Sequence, residues 1–157
     1  MNGLVLGGTA SGVGKTIATL AVSRALADAG YDPVPAKAGP DYIDPSHHAA
    51  ALGRPSRTLD TWMQGVDGVR RTLARGAEDA GDDAIAVVEG MMGLYDGSVT
   101  STAATAAALN VPVVLVVDAG AGLQRVRATA LGFREYAAPV HLPPAVLDAV
   151  NHPPAHP

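Results

Sequence analysis

A glycine-rich segment between a short apolar run and a helix-forming run is the feature that most limits what this chain can fold into. The apolar run covers residues 4–6 and the helix-forming run covers 17–27. Glycines let backbone N–H groups converge on an anion, and a helix that begins directly after them adds its positive N-terminal end. Strand, glycine-rich turn, Gly-Lys-Thr and helix in this order predict a phosphate-binding loop. The predicted nucleotide-binding residues are Gly8, Thr9, Ser11, Gly12, Val13, Gly14, Lys15 and Thr16.

The loop departs from the usual pattern at one position. A glycine ordinarily stands five residues before Gly14, but here that position is Thr9, and Gly8 lies one residue earlier. We expect Lys15 to neutralise the β- and γ-phosphates and the Thr16 hydroxyl to bind Mg²⁺. The alternative is a glycine-rich turn before a surface helix with no ligand. The agreement of strand, loop and helix favours the phosphate-binding loop.

Length and composition exclude several classes of protein. The 157 residues suit one domain, and a net charge of -4 argues against nucleic-acid binding through broad positive charge. The chain has no cysteine, which excludes a disulfide, a thiolate nucleophile and a zinc–thiolate site. No apolar run reaches the length of a membrane span, and no basic segment leads into an apolar signal core. We therefore expect a cytoplasmic protein that binds neither nucleic acid nor a membrane.

Apolar β-branched runs alternate with amphipathic or alanine-rich runs along the chain. This alternation predicts an α/β protein with a P-loop NTPase-type three-layer fold and a mainly parallel sheet. The prolines of the second strand predict that it is irregular or peripheral at its start. The arginines of the 66–80 helix are expected to face solvent. Further strands are expected at 33–37, 84–88 and 112–117, and further helices at 47–52, 66–80, 101–109 and 123–136.

Polar segments follow four of the predicted strands. Ligands of parallel sheets collect where the strands end, at the carboxyl edge of the sheet. We therefore expect the carboxylates that follow separate strands to converge around the phosphate end of one pocket, although structural loops are polar too. The strand ends carry 8–16, 37–44, 89–96 and Asp118, and the converging carboxylates are Asp41, Asp44, Glu89 and Asp96.

Three longer signatures follow the phosphate-binding loop. They are KAGPDYIDPSHH at 37–48, GRPSRTLDTWM at 53–63 and EGMMGLYDG at 89–97, and through them the chain resembles the cobyrinate a,c-diamide synthases over about residues 1–136. The resemblance implies an ATP-dependent synthetase domain related to dethiobiotin synthetase. In that family a glutamine amidotransferase domain with a catalytic cysteine follows. The enzymes use ATP, Mg²⁺ and glutamine to convert the a and c carboxylates of a corrin ring to amides through an acyl phosphate.

The resemblance also implies roles for individual residues. Lys15 and Lys37 are expected to contact the γ-phosphate from two sides. Hydroxyl and carboxylate side chains are the expected metal ligands, because Mg²⁺ prefers oxygen. Tyr42 and Ile43, between two acids, are expected to orient the substrate carboxylate, whereas packing is the preferred explanation for Trp62. The implied catalytic residues are Lys15, Lys37, Asp44 and Asp96, the metal ligands Thr16, Asp41 and Glu89, and the substrate residues Tyr42, Ile43 and Asp60.

The C-terminal part departs from the family. Residues 1–136 are expected to form the N-terminal part of the synthetase domain, and the Pro- and His-rich tail 137–157 to be irregular or disordered, which leaves the fold incomplete at the C-terminus. A truncated copy, a frameshift and a split gene all remain open. We expect a corrinoid substrate (cobyrinic acid), a separate glutaminase domain or subunit, and no glutaminase activity from this cysteine-free polypeptide. A homodimer is a further alternative.

Four alternative functions remain open at this point. A nickel-sirohydrochlorin diamide synthase shares the signatures, and a dethiobiotin-synthetase-like enzyme shares the long loop and Lys37. The GPDYIDP motif favours the diamide synthases over dethiobiotin synthetase. A partition-type ATPase carries an extra lysine early in the loop, where this chain has Ala10. An inactive truncated copy is the fourth alternative.

Overall fold

Strands and helices alternate along the chain in the computed structural model, which describes residues 1–120, 122–136 and 146–148. The described strands are β1 (Asn2–Gly8), β2 (Asp32–Ala38), β3 (Arg57–Leu59), β4 (Ala84–Glu89), β5 (Val113–Val117) and β6 (Val146–Asp148). The described helices are α1 (Lys15–Asp28), α2 (Ile43–Leu52), α3 (Thr61–Gly76), α4 (Thr102–Leu109) and α5 (Leu123–Tyr136).

The strands form one sheet in the order β3-β2-β4-β1-β5-β6, and each neighbouring pair is parallel. Strand β4 lies between β1 and β2. Its last residue, Glu89, is level with Leu6 of β1 and with Lys37 of β2. The register therefore brings the end of β4 between the phosphate-binding loop and the loop that follows β2.

Apolar side chains alternate between the two faces of the sheet, as the two-residue period of a strand requires. Val5 and Val88 belong to the larger core, which α3, α4 and α5 cover, whereas Leu6 and Val87 belong to a smaller core beneath α1. Helices on both faces of a parallel sheet give three layers. The prediction of a three-layer α/β fold with a mainly parallel sheet is confirmed.

The prediction that the prolines make β2 irregular or peripheral at its start is confirmed in its second form, because the first residues of β2 have a neighbouring strand on one side only. β2 pairs with β4 from Asp32 onward, and its partner on the other side, β3, begins to pair only at Ala36. The Asp32 N–H bonds Asp83 on the β4 side, while the Gly39 N–H bonds Leu59 on the β3 side. Backbone N–H groups of alternate residues point to the same side of a strand. The nitrogens of Pro33 and Pro35 therefore point to the β3 side, as that of Gly39 does, at a level where β3 is not yet present. Proline is tolerated there because no ladder bond is lost.

Three elements differ from the sequence predictions. Helix α2 begins at Ile43 and not at residue 47, since Pro45 lies in its first turn, where an N–H has no helical partner. Strand β3, only three residues long, was not predicted. Helix α3 covers Thr61–Gly76 and not 66–80. Its arginines are exposed as expected, and Arg70 also donates from Nε to the Ala108 carbonyl of α4 at 2.7 Å.

Most of the tail prediction falls on residues 137–145 and 149–157, which lie outside the described residues. The exception is β6, which pairs in register with 115–117 of β5, so this segment is a strand and not irregular. None of the helices in the described part of the chain is long and apolar enough to cross a membrane.

Candidate nucleotide-binding site

The phosphate-binding loop joins β1 to α1 and begins with a close packing contact. A Cβ on Gly8 would lie 2.8 Å from Val13 Cγ2 and 2.9 Å from Lys15 Cδ, so only glycine fits where the loop folds over its own start. The Thr9 N–H bonds the Val116 carbonyl of β5 at 3.2 Å. The early glycine and Thr9 thus hold the longer loop against the sheet.

Glycines also set the direction of the loop where it enters α1. Gly12 and Gly14 have φ values of 78° and 91°, in the left-handed region that other residues rarely adopt. Gly14 is the residue before the helix, and no side chain caps the N–H groups of the first turn there. Those N–H groups and the helix dipole suit an anion at this position.

Lys15 is buried and turns back over the loop. Its Nζ donates to the Ala10 carbonyl at 2.9 Å, and the residue keeps 7% of its surface exposed. Burial, and next the positive charge of Lys37, lower the pKa of the Lys15 amine, against the opposing effect of three carboxylates. The three carboxylates are Glu89, Asp44 and Asp96.

Lys37, at the end of β2, lies close to three carboxylates, those of Asp41, Asp44 and Glu89. Its Nζ lies 2.7 Å from Asp44 Oδ2, 3.3 Å from Glu89 Oε1 and 3.9 Å from Asp41 Oδ2. It also donates to the Gly90 carbonyl at 2.9 Å. The structure therefore brings three of the four acids expected to converge around one buried ammonium group.

Glu89 joins this cluster to the phosphate-binding loop. The Thr16 hydroxyl donates to Glu89 Oε1 at 2.7 Å and lies 3.5 Å from Asp44 Oδ1. Burial by itself would raise the pKa of Glu89, but hydrogen bonds from His48 and Thr16 and the charge of Lys37 together lower it. Glu89 is thus held as a buried carboxylate beside the loop.

His48 is a member of the cluster that the sequence prediction missed. It lies on α2, fully buried, with Nε2 at 2.7 Å from Glu89 Oε2. A single histidine within a helix carries no spacing signal that separates a site residue from a core residue. The position of Asp44 four residues earlier, on the same helical face, is the signal that could have pointed to it.

An open cleft of about 710 Å³ lies at the carboxyl edge of the sheet, between the phosphate-binding loop and the cluster around Lys37. From the loop, Ser11, Gly12, Gly14, Lys15 and Thr16 face it, and Lys37, Asp41, Asp44 and Glu89 face it from the other side. Met91 and Met92 form part of its wall. A cleft with a phosphate-binding loop on one side and a buried lysine, Lys37, on the other suits a nucleotide.

Several predicted residues lie elsewhere. Asp60 caps α3 by accepting from the Trp62 and Met63 N–H groups. This capping role explains why a carboxylate stands there even if it contacts no substrate. Asp96 accepts from the Gly93 N–H at 3.0 Å and lies outside the cleft lining. The remaining predicted residues are Asp118, which bonds the Gly120 N–H, and Tyr42 and Ile43, which are 90% and 69% exposed at the start of α2.

The oxygen donors beside Thr16 fit Mg²⁺ held together with a nucleotide. Among the described residues, no group of three or more His, Cys, Asp or Glu side chains is arranged to hold a metal by itself. Mg²⁺ is usually bound by one or two carboxylates and substrate phosphates, with waters retained, and not by an all-protein cage. The Thr16 hydroxyl and the Glu89 and Asp44 carboxylates supply such a partial set.

Comparison of the sequence with known protein families gives a match over most of the chain. The family described as the CobQ/CobB/MinD/ParA nucleotide binding domain matches residues 4–139. The chain belongs to this family. Nucleotide binding is therefore the property that the fold, the cleft and the family have in common.

Several curated relatives are similar to most of the chain. A cobyrinate a,c-diamide synthase of Halobacterium salinarum is 68% identical over 138 residues, which cover 88% of this chain and 30% of that protein. One from Haloarcula marismortui is 66% identical over 87% of this chain and 30% of that protein. A hydrogenobyrinate a,c-diamide synthase of Thermobifida fusca is 48% identical over 73% of this chain and 25% of that protein. The resemblance to the cobyrinate a,c-diamide synthases is confirmed, and the chain spans about 30% of the length of the first two relatives.

Proposed function

We propose that this chain forms the ATP-binding part of an enzyme that amidates the a and c side-chain carboxylates of a corrin ring in cobalamin biosynthesis. The observation that carries the proposal is the cleft in which Lys15 and Thr16 of the phosphate-binding loop face Lys37 and its carboxylates. The similarity to synthases of cobyrinate and hydrogenobyrinate supports a corrinoid substrate and not a nickel tetrapyrrole.

The chemistry requires activation of a carboxylate, which is a poor electrophile. In the proposed reaction a carboxylate oxygen attacks the γ-phosphorus of ATP, the bond from that phosphorus to the bridging oxygen breaks, and ADP leaves. Ammonia then attacks the carbonyl carbon of the acyl phosphate, inorganic phosphate leaves, and the nitrogen loses a proton to solvent. Such a transfer needs positioning and charge neutralisation more than acid–base groups.

The residues of the cleft suit these needs. Lys15 and Lys37 approach the phosphates from two strand ends and offset the charge that accumulates during transfer. Thr16, Asp41 and Glu89 are the proposed holders of Mg²⁺, and Asp44, which lies 3.5 Å from the Thr16 hydroxyl, is a further carboxylate beside them. The ion would offset negative charge on the phosphates. The carboxylate cluster around Lys37 keeps its ammonium in place before the nucleotide arrives.

The other predicted residues, of which only Asp44 lines the cleft, have weaker proposed roles. Tyr42 and Ile43 project at the rim, where a large substrate would rest, and this exposure supports their proposed contact with it. Asp44 and Asp96 are proposed to assist the phosphoryl transfer, Asp96 by its charge on Lys15. Asp60 remains a proposed substrate residue, although its capping contacts supply another reason for its presence.

The nitrogen has to come from outside these 157 residues. Glutamine hydrolysis by an amidotransferase of the expected type uses a cysteine thiolate, and the 157 residues contain no cysteine. We therefore propose that free ammonia or a separate glutaminase domain or subunit supplies it. Because the reaction consumes ATP, the cytoplasm is its proposed location.

Calorimetric titration with Mg-ATP tests the proposal. Lys15→Ala should weaken binding at least about tenfold, because it removes a charge-assisted contact to the phosphates. Arg24→Ala is the matched control, since Arg24 lies on the same helix with its side chain 74% exposed. Equal affinities of Lys15→Ala and wild type for Mg-ATP would show that the loop does not bind the nucleotide.

Turnover assays test the substrate. ADP release should depend on cobyrinic acid and ammonium, and the polypeptide should release no glutamate from glutamine. ADP release with a nickel sirohydrochlorin and not with cobyrinic acid would show that the substrate is a nickel tetrapyrrole and not a corrinoid. Glutamate release above the blank would contradict the external nitrogen source.

A further inference from the structure

The buried imidazole of His48 connects Glu89 of the proposed site to Ser56, a residue that the proposed chemistry does not use. Its Nδ1 lies 3.0 Å from Ser56 Oγ, and its Nε2 lies 2.7 Å from Glu89 Oε2. The ring has no exposed surface, and Glu89 keeps only 1% exposed. Both ring nitrogens are thus engaged inside the protein, with no water needed to complete the contacts.

The two oxygens of Glu89 have separate partners. Oε2 faces His48, whereas Oε1 faces the cleft, at 2.7 Å from the Thr16 hydroxyl and 3.3 Å from Lys37 Nζ. An ionised carboxylate only accepts hydrogen bonds, so Nε2 of His48 carries the proton. A neutral ring then accepts at Nδ1 from the Ser56 hydroxyl. Because a serine hydroxyl can donate or accept, the Glu89 carboxylate determines which ring nitrogen carries the proton, and Ser56 adapts to it.

Helix α2 places His48 for this contact. Asp44 and His48 are four residues apart and occupy the same face of the helix. Asp44 bonds Lys37 at 2.7 Å, and one turn later His48 bonds Glu89. The helix is therefore fastened to the ends of β2 and β4 by two polar contacts that flank the cleft.

We infer that His48 is a positioning residue of the nucleotide site, which holds the Glu89 carboxylate so that Oε1 points at the Thr16 hydroxyl. The inference rests on the proposed Mg-ATP site, where an oxygen at this place is a proposed cation ligand. Without the imidazole, Oε2 would be buried with no donor, and the carboxylate would turn to regain one. Partners that orient a ligating carboxylate affect metal affinity without touching the metal.

Two amide variants separate positioning from packing. The amide nitrogen of glutamine reaches the place of Nε2, while that of asparagine reaches the place of Nδ1. His48→Gln therefore keeps a donor for Glu89, and His48→Asn keeps only the contact towards Ser56. Calorimetry measures the Kd of ATP for wild type and both variants, once with Mg²⁺ and once with EDTA, and melting curves show that each variant is folded.

We expect the gain in ATP affinity that Mg²⁺ produces to fall about 10- to 100-fold in His48→Asn and to stay within about threefold of wild type in His48→Gln. In EDTA the three proteins should bind ATP equally. Equal losses in both variants, no loss in either, or a loss of the same size in EDTA would overturn the inference. If His48→Asn does not fold, His48→Gln decides alone, because loss of its Mg²⁺ gain contradicts the positioning role and retention supports it. A wild-type chain that binds ATP equally in both buffers would refute the proposed function itself, whereas a Mg²⁺-dependent wild type with unchanged variants refutes only the role of His48.

Discussion

Replacing Lys37 by methionine tests how strongly the site depends on one buried charge. The methionine fills nearly the same volume but removes the ammonium group that lies within 3.9 Å of Asp41, Asp44 and Glu89. Removing one partner of a buried ion pair destabilises by about 3–5 kcal/mol, because the remaining charge is left uncompensated. Asp41 and Asp44 keep 30% and 22% of their side chains exposed, so that water screens part of their repulsion. The lower end of the range, about 3 kcal/mol, is therefore expected.

The assay is thermal and urea unfolding followed by circular dichroism without nucleotide or Mg²⁺. In a domain of this size each kcal/mol moves Tm by about 2–4 °C, so Lys37→Met should melt about 6–12 °C below wild type. Arg24→Met is the control, since the Arg24–Asp28 pair is 74% and 60% exposed and should contribute less than about 1 kcal/mol. A Lys37→Met chain that melts with the control would refute the argument that this cation holds the carboxylates together.

Two further outcomes concern individual acids. The lowered pKa of Glu89 means that its contribution to stability is complete above the ordinary value of 4.5 and is lost as pH falls through the lowered one. The difference in unfolding free energy between wild type and Glu89→Gln, measured in urea with EDTA, should therefore shrink only below that pH; a difference that does not change with pH would contradict the assignment. Asp60→Ala should lose about 0.5–2 kcal/mol of stability as a helix cap is removed, and Asp60→Asn much less, because asparagine also caps. Equal losses in urea unfolding would show that Asp60 stabilises by something other than the cap.

The parts of the site that depend on local spacing could be predicted from the sequence. The phosphate-binding loop needs only a strand, glycines and Gly-Lys-Thr in order, and all of these are adjacent in the chain. The meeting of Glu89 with Thr16 followed from a general rule, that parallel strands end at one edge of the sheet. The role of each acid at that edge remains a prediction.

The errors arose where the partner of a residue decides its structure. Strand β3 is only three residues long and is defined by its pairing with β2, which its own sequence does not indicate. Pro45 ends a helix in most positions but suits the first turn of α2. The contact of His48 with Glu89 spans 41 residues, and no property of either residue alone indicates it.

The place of β4 in the sheet has a consequence for the order of folding. β1 and β2 emerge first from the ribosome, but they are not neighbours, and β4 has to insert between them. A nascent chain that ends before residue 84 has the complete phosphate-binding loop and Lys37, yet it lacks the strand that joins them. Such long-range parallel pairing is slow, because a large loop is closed before any contact compensates for the lost entropy. Affinity for nucleotide should therefore appear in one late step, together with the closing of the sheet.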